Sequence, residues 1–264
     1  MLEIGLYLAL GAFVGIVAPA GGIGGGLLMV PAFLFIFPRF GIAPSLVAHL
    51  AVGSSVAAST LMSLSSMRAH ARRRGVDWQV FAGLAPGLIA GAVIGGLVAH
   101  WLPDTLLHNI FAGLMLAIAL WLAVGFQPHT HGESRRPSAR LTLPVGFVIG
   151  TVGTMVGIGG GSMIVPFLLF AGMASVFAIG TSSAAVFVTV LTGSIVYIFA
   201  GRATPGLPAG ALGYLYGPAI IATAATAMAF APLGARIGRA LPQHLFKRLF
   251  SLLLIVVAVK LLFF

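Results

Sequence analysis

The sequence predicts an all-α integral membrane protein of two homologous halves arranged as inverted repeats. Three observations carry that expectation. Apolar stretches reach bilayer length, the charged fraction is too small to solvate a globule, and a glycine–proline motif occurs twice with the same landmarks behind it.

The apolar stretches include Val80 to Ala99, Leu106 to Phe126 and Leu249 to Leu262. Runs near 20 residues match a hydrocarbon core of roughly 30 Å at about 1.5 Å per helical residue. Hydrophobic residues make up 59% of the 264 and charged ones only 7%, against about 25% charged in an ordinary soluble domain. A soluble fold is excluded on that balance.

The net charge of +10 does not point to nucleic acid. The basic residues are Arg39, Arg68, Arg72, Arg73, Arg74, Arg135, Arg136, Arg140, Arg202, Arg236, Arg239, Lys247, Arg248 and Lys260. They lie between apolar runs or near their ends, where positive-inside bias and anionic lipid head groups account for them. Membrane lipid is therefore an expected partner and nucleic acid is not. Cysteine is absent, which removes disulfides and thiol chemistry. Ala18-Pro19-Ala20 loosely resembles a signal cleavage site, but Met1-Leu2-Glu3 lacks a basic n-region, so the first stretch is expected to be retained.

The duplication is read from landmarks. Gly22-Ile23-Gly24-Gly25-Gly26 leading to Pro31 recurs as Gly157-Ile158-Gly159-Gly160-Gly161 leading to Pro166, 135 residues later. Ala51-Val52-Gly53-Ser54-Ser55 is echoed by Ala178-Ile179-Gly180-Thr181-Ser182, and Leu102-Pro103 by Leu241-Pro242. Three correspondences in one order define a first membrane repeat, 1–126, a hydrophilic linker, 127–140, and a second repeat, 141–264. Each repeat holds a glycine-broken segment and three ordinary spans. His129 and His131, in the linker, are expected to be solvated rather than metal-bound.

Charge bias selects the topology. If each broken segment crosses once, the basic residues divide nine to five; if it turns back at its glycines, eleven to three. The second division obeys the positive-inside rule better. A turned-back segment plus three spans reverses the chain, so the halves are expected to be inverted and both termini non-cytoplasmic.

Five glycines among Gly21 to Gly26 cannot continue an ordinary helix. Unwound backbone survives within a bilayer only where it is buried or lines a cavity. A helix that restarts there directs bare N–H groups and its positive dipole end at an anion. Gly22, Gly24, Gly25, Gly26, Gly159, Gly160, Gly161 and Ser162 are therefore substrate-binding candidates. The hydroxyls of Ser54, Ser55, Thr181 and Ser182 are expected to complete the pocket, unless they bond back to the i−4 carbonyl. The hydroxyls of Ser162 and Thr154 are weaker candidates of the same kind. His49 is the one titratable side chain expected at membrane depth, a candidate for proton coupling or an interfacial histidine. Its counterpart in the second repeat is Val176.

Other patterns carry less. Gly83, Gly87, Gly91 and Gly95 form a stripe for close helix packing, within the chain or between subunits of a homo-oligomer. The matching span offers Ala219, Thr223, Ala227 and Ala231. The glycine runs fail the dinucleotide pattern, and no phosphate-loop lysine follows them. The carboxylates Glu3, Asp77, Asp104 and Glu133 lie at termini or in loops, so paired-carboxylate catalysis is not expected. A Ser54–His49 dyad has poor helical spacing. No enzyme activity, cofactor or metal is expected.

The paired glycine–proline motifs, the two G-[ST]-S stretches, and Pro232-Leu233-Gly234-Ala235-Arg236 running on to Leu241-Pro242 resemble the sulfite exporter TauE/SafE family across essentially the whole chain. The resemblance implies a multi-pass permease of the bacterial inner membrane for small sulfur-containing anions such as sulfite or sulfoacetate-like organosulfonates. Alternating access by a secondary carrier is the expected mechanism, with an anion channel using the same helix termini as the alternative.

Overall fold

A chain with apolar side chains on nearly every face hides its peptide groups from hydrocarbon by bonding them within helices or a closed barrel. The computed structural model, which describes residues 2–21, 25–124, 136–240 and 243–263, takes the helical route. The first half contains α1 (Leu2–Gly21), α2 (Gly26–Ile36), a 3₁₀ turn (Phe37–Phe40), α3 (Val47–Arg72), α4 (Trp78–Trp101) and α5 (Asp104–Val124). The second contains α6 (Ala139–Met155), α7 (Gly161–Phe170), α8 (Ser175–Gly201), α9 (Gly217–Ala240) and α10 (Gln243–Phe263). α1, α3, α4, α5, α8 and α9 are long and apolar enough to cross a membrane. The all-α expectation needs one small addition. β1 (Ala211–Leu212) and β2 (Leu215–Tyr216) pair antiparallel ahead of α9.

The first glycine run falls between two helices that run in opposite directions. Tyr7, early in α1, packs on Phe33, late in α2, and on Phe37, which opens the 3₁₀ turn, at ring separations of 6.1 and 6.3 Å. Val14 instead lies beside Gly25, at the start of α2. α2 therefore folds back along α1. Its 11 residues span roughly 16 Å at about 1.5 Å each, half of a bilayer core. The second break separates α6 from the 10-residue α7. There Gly157, Gly159 and Gly160 adopt φ of 78, 74 and 81°, a region open to glycine and costly for side-chained residues. The N–H groups of Ile158 and Gly159 both donate to the Gly153 carbonyl at 2.9 Å, which closes the turn.

The two halves interlock. α1 lies parallel along α9, where Gly11 and Gly15 meet the backbone of Thr223 and Ala227. α6 lies parallel along α4, where Gly87, Gly91 and Gly95 meet the backbone of Leu143, Phe147 and Thr151. A methyl at any of these glycines would overlap a carbonyl oxygen. The Gly83 to Gly95 stripe is thus an internal packing face. α3 and α8 cross the centre antiparallel, joined by Thr60 to Ser194 at 3.1 Å and Ser66 to Ser183 at 3.2 Å. α5 and α10 are also antiparallel, with His108 Nε2 3.0 Å from the Leu261 carbonyl.

These contacts sort the helix ends. One end of the bundle gathers the starts of α1, α3, α5 and α9, where Glu3 accepts from the Tyr216 hydroxyl and Asp104 from the Ala48 amide, both at 2.9 Å. The other gathers the end of α3, the starts of α4 and α8, and Arg136 from the linker. α3 is the most enclosed of the six spanning helices, and the two breaks meet against it.

Candidate anion-binding site

The two glycine breaks touch. A Cβ on Gly26 would overlap the Gly157 carbonyl oxygen and lie 2.8 Å from the Ile158 Cα. Ser55, on α3, donates its hydroxyl to that same carbonyl at 3.0 Å. Val30 and Val52 also pack against Gly157. Small residues are required because backbone meets backbone at this crossing.

Two helices start there without a capping side chain. Gly25 is the N-cap of α2 and Gly160 the N-cap of α7, and neither helix receives a side-chain cap bond. Helix geometry leaves the first N–H groups of each, including those of Gly26, Gly161 and Ser162, without an intrahelical partner. Both positive dipole ends are thereby brought to one region.

Three hydroxyl oxygens around the breaks, those of Ser59, Thr154 and Ser162, are buried and have no hydrogen-bond partner among the described residues. Thr154 closes the last turn of α6 just before the second break and packs against Gly193. Ser162 is the second residue of α7. Ser59 lies one turn beyond Ser55 on α3, between that residue and Met62, which reaches Gly25. An unmade bond at a buried hydroxyl costs about 1–3 kcal/mol, so three together ask for a partner.

The structure distributes the sequence candidates unevenly. Gly22 and Gly24 lie outside the described residues. Gly25, Gly26, Gly159, Gly160, Gly161, Ser162 and Ser55 surround the breaks, with the Ser55 proton already committed to Gly157. Ser54 instead accepts from the Tyr216 N–H at 3.0 Å. Thr181 accepts from the Asp77 N–H at 2.9 Å, at the far end of the bundle. Ser182 is buried beside it. The four hydroxyls therefore do not converge. Consecutive helical residues point about 100° apart, so a Gly-Ser-Ser run addresses a different neighbour with each side chain.

Asp77 belongs to the scaffold at that far end. It caps α4 by accepting from the Gln79 and Val80 N–H groups, and Arg136 Nε donates to it at 2.7 Å. Burial alone would lift its carboxyl, but the Arg136 guanidinium and these two N–H groups outweigh that and hold it below the usual range.

His49 is buried at the start of α3. Its Nδ1 lies 2.9 Å from Asp104 Oδ1 and its Nε2 3.0 Å from the Ala99 carbonyl. With both ring nitrogens engaged and Ser54 turned to Tyr216, no Ser54–His49 dyad forms. An apolar cleft of about 200 Å³ between α1, α2, α5 and α10, lined by Leu10, Phe13, Leu28, Pro31 and Phe35 among others, has no polar groups suited to an anion.

Two residues escaped the sequence reading. Ser59 was legible as the i+4 neighbour of Ser55 on the same helical face. Asp104, expected in a loop, instead opens α5; nothing local ties it to His49, 55 positions away.

A model of the sulfite exporter TauE/SafE family matches residues 7–261. A probable membrane transporter protein of Haemophilus influenzae is 32% identical over 256 residues, covering 97% of this chain and 96% of the relative. A probable membrane transporter protein of Methanocaldococcus jannaschii is 28% identical, covering 96% and 93%. One of Bacillus subtilis is 27% identical, covering 75% and 79%. No solved structure matches. The apolar spans, the paired glycine breaks and these relatives together make the chain a multi-pass membrane transporter that belongs to the sulfite exporter TauE/SafE family.

Proposed function

We propose that the chain is a secondary carrier for small sulfur-containing anions, sulfite or organosulfonates such as sulfoacetate, working by alternating access in the bacterial inner membrane. The anion binds where the two glycine breaks meet. The first-turn N–H groups of α2 and α7 and the hydroxyls of Ser59, Thr154 and Ser162 hold its oxygens. The observation that carries this reading is the set of three unpartnered buried hydroxyls beside two uncapped helix starts. The family's printed description, sulfite exporter, supports the substrate class. Sulfur oxyanions offer several acceptor oxygens, and a site of N–H and O–H donors without formal charge binds them weakly enough to release them.

The same reading treats 1–126 and 141–264 as inverted repeats about a pseudo-twofold axis. Its support is that α3 and α8, and likewise α5 and α10, run antiparallel while α1–α9 and α6–α4 pack reciprocally. The arginine-rich end, with Arg68, Arg72, Arg73, Arg74, Arg136 and Arg140, would face the cytoplasm and both termini the opposite side. One set of helices would rock against the other with the glycine breaks as hinges.

Uptake and counterflow of labelled sulfoacetate and sulfite in proteoliposomes test the proposal. Saturable flux with counterflow is expected and separates a carrier from a channel. Ser59→Ala, Thr154→Val and Ser162→Ala should each weaken transport several-fold without loss of folded protein. Undiminished transport in all three would remove the site.

A further inference from the structure

Buried polar groups cluster a second time, at the start of α3 and away from the glycine breaks. The Asp104 carboxylate gathers the N–H groups of Ala48 and His49, at 2.9 and 3.2 Å, and the His49 Nδ1 at 2.9 Å. His49 is 6% exposed, and its ring leans on the Tyr214 ring at 5.0 Å. The same tyrosine also meets the other titratable groups of the cluster, His100 on α4, 2.9 Å from the Tyr214 hydroxyl, and Tyr197 on α8.

The proton count follows from the partners. The Ala99 carbonyl can only accept, so Nε2 carries a hydrogen. One further proton must lie between Nδ1 and Oδ1, whichever atom holds it. Without that proton a nitrogen lone pair faces a carboxylate and the contact breaks. The next turn of α3 carries Gly53, which admits the Tyr214 carbonyl, then Ser54 on Tyr216 and Ser55 on Gly157. Occupancy of one proton site therefore bears on the helix that supports the anion site. The basic side chains of the described residues lie toward the helix ends, so an anion at the breaks has no fixed countercharge.

We propose that His49 and Asp104 form a proton-binding site that couples proton movement to anion movement in the same direction, one proton per anion. This rests on the carrier reading above. The test uses the full-length protein in proteoliposomes, with labelled sulfoacetate and the membrane potential clamped to zero. A gradient of one pH unit, acid outside, should then drive about tenfold accumulation in the wild type. H49N and D104N should lose that accumulation yet keep counterflow, which needs no net proton movement. Accumulation at the wild-type level in H49N overturns the proposal. So does loss of counterflow together with accumulation in both folded variants, because the pair would then be structural only. A wild type without counterflow sinks the carrier reading instead. The pair is then judged by the ¹⁵N resonances of the His49 ring, which D104N must shift if the two share a proton; unchanged resonances refute it.

Discussion

The starts of α3 and α8 are alike in one respect and opposite in another. Each carries a glycine that admits a carbonyl from the loop of the other half, Gly53 for Tyr214 and Gly180 for Gly75. Each follows it with a hydroxyl that accepts the N–H two residues further along that loop, Ser54 from Tyr216 at 3.0 Å and Thr181 from Asp77 at 2.9 Å. One turn earlier the likeness ends. α3 has His49 locked to Asp104, whereas α8 has Val176, which is 67% exposed. Matched positions serve the interlock of the two halves, and unmatched ones are where the two ends of the molecule can act differently.

The comparison breaks most visibly at its glycines. Gly53→Val and Gly180→Val should each cost about 3 kcal/mol or more, the upper end for overpacking, because the obstructing atom is backbone. Thermal unfolding in detergent would register both. A variant as stable as the wild type would mean that the loop is not held there.

The hydroxyls come next. Ser54→Ala and Thr181→Val each strand one loop N–H, with an expected loss of about 1–3 kcal/mol. Near-equal losses would sharpen the claim of equivalent roles, and a gross inequality would end it. Ser59→Ala makes the contrasting case. It removes a hydroxyl that has no partner among the described residues, so the thermal midpoint should hold or rise while anion transport falls.

The smallest effect belongs to the surface pair beside Thr181. Arg136 is mostly exposed, and exposed ion pairs contribute about 0–1 kcal/mol. The Asp77 carboxyl is held low in the folded state, so its contribution is present above the ordinary aspartate range and lost as pH falls through the folded value. Stability of the wild type relative to Asp77→Asn should shrink on acidification, and a constant difference from pH 7 to pH 3 would contradict the assignment.

Much of the candidate site was legible because glycine runs have few reasons to recur in a bilayer. The runs ending at Gly26 and Gly161 announced two interrupted helices, and the structure brings the first-half Gly26 onto the second-half Gly157. The hydroxyls were less legible. Gly53-Ser54-Ser55 and Gly180-Thr181-Ser182 drew attention by recurring, but recurrence marks a shared constraint of either kind, and the one here is packing against the partner loop. Ser59 does not recur, yet its oxygen is one of those left bare.

By itself the sequence determined that the chain lives in a membrane, where its helices stop and restart, and that the two halves share landmarks, since hydropathy, backbone freedom and repetition are all written locally. Only the tertiary structure decided which hydroxyls are already spent on backbone, that Asp104 reaches His49, and that the glycine stripe of α4 packs on α6. A hydrogen bond or a close approach depends on what a distant part of the chain presents, and periodicity along one helix carries no record of that neighbour.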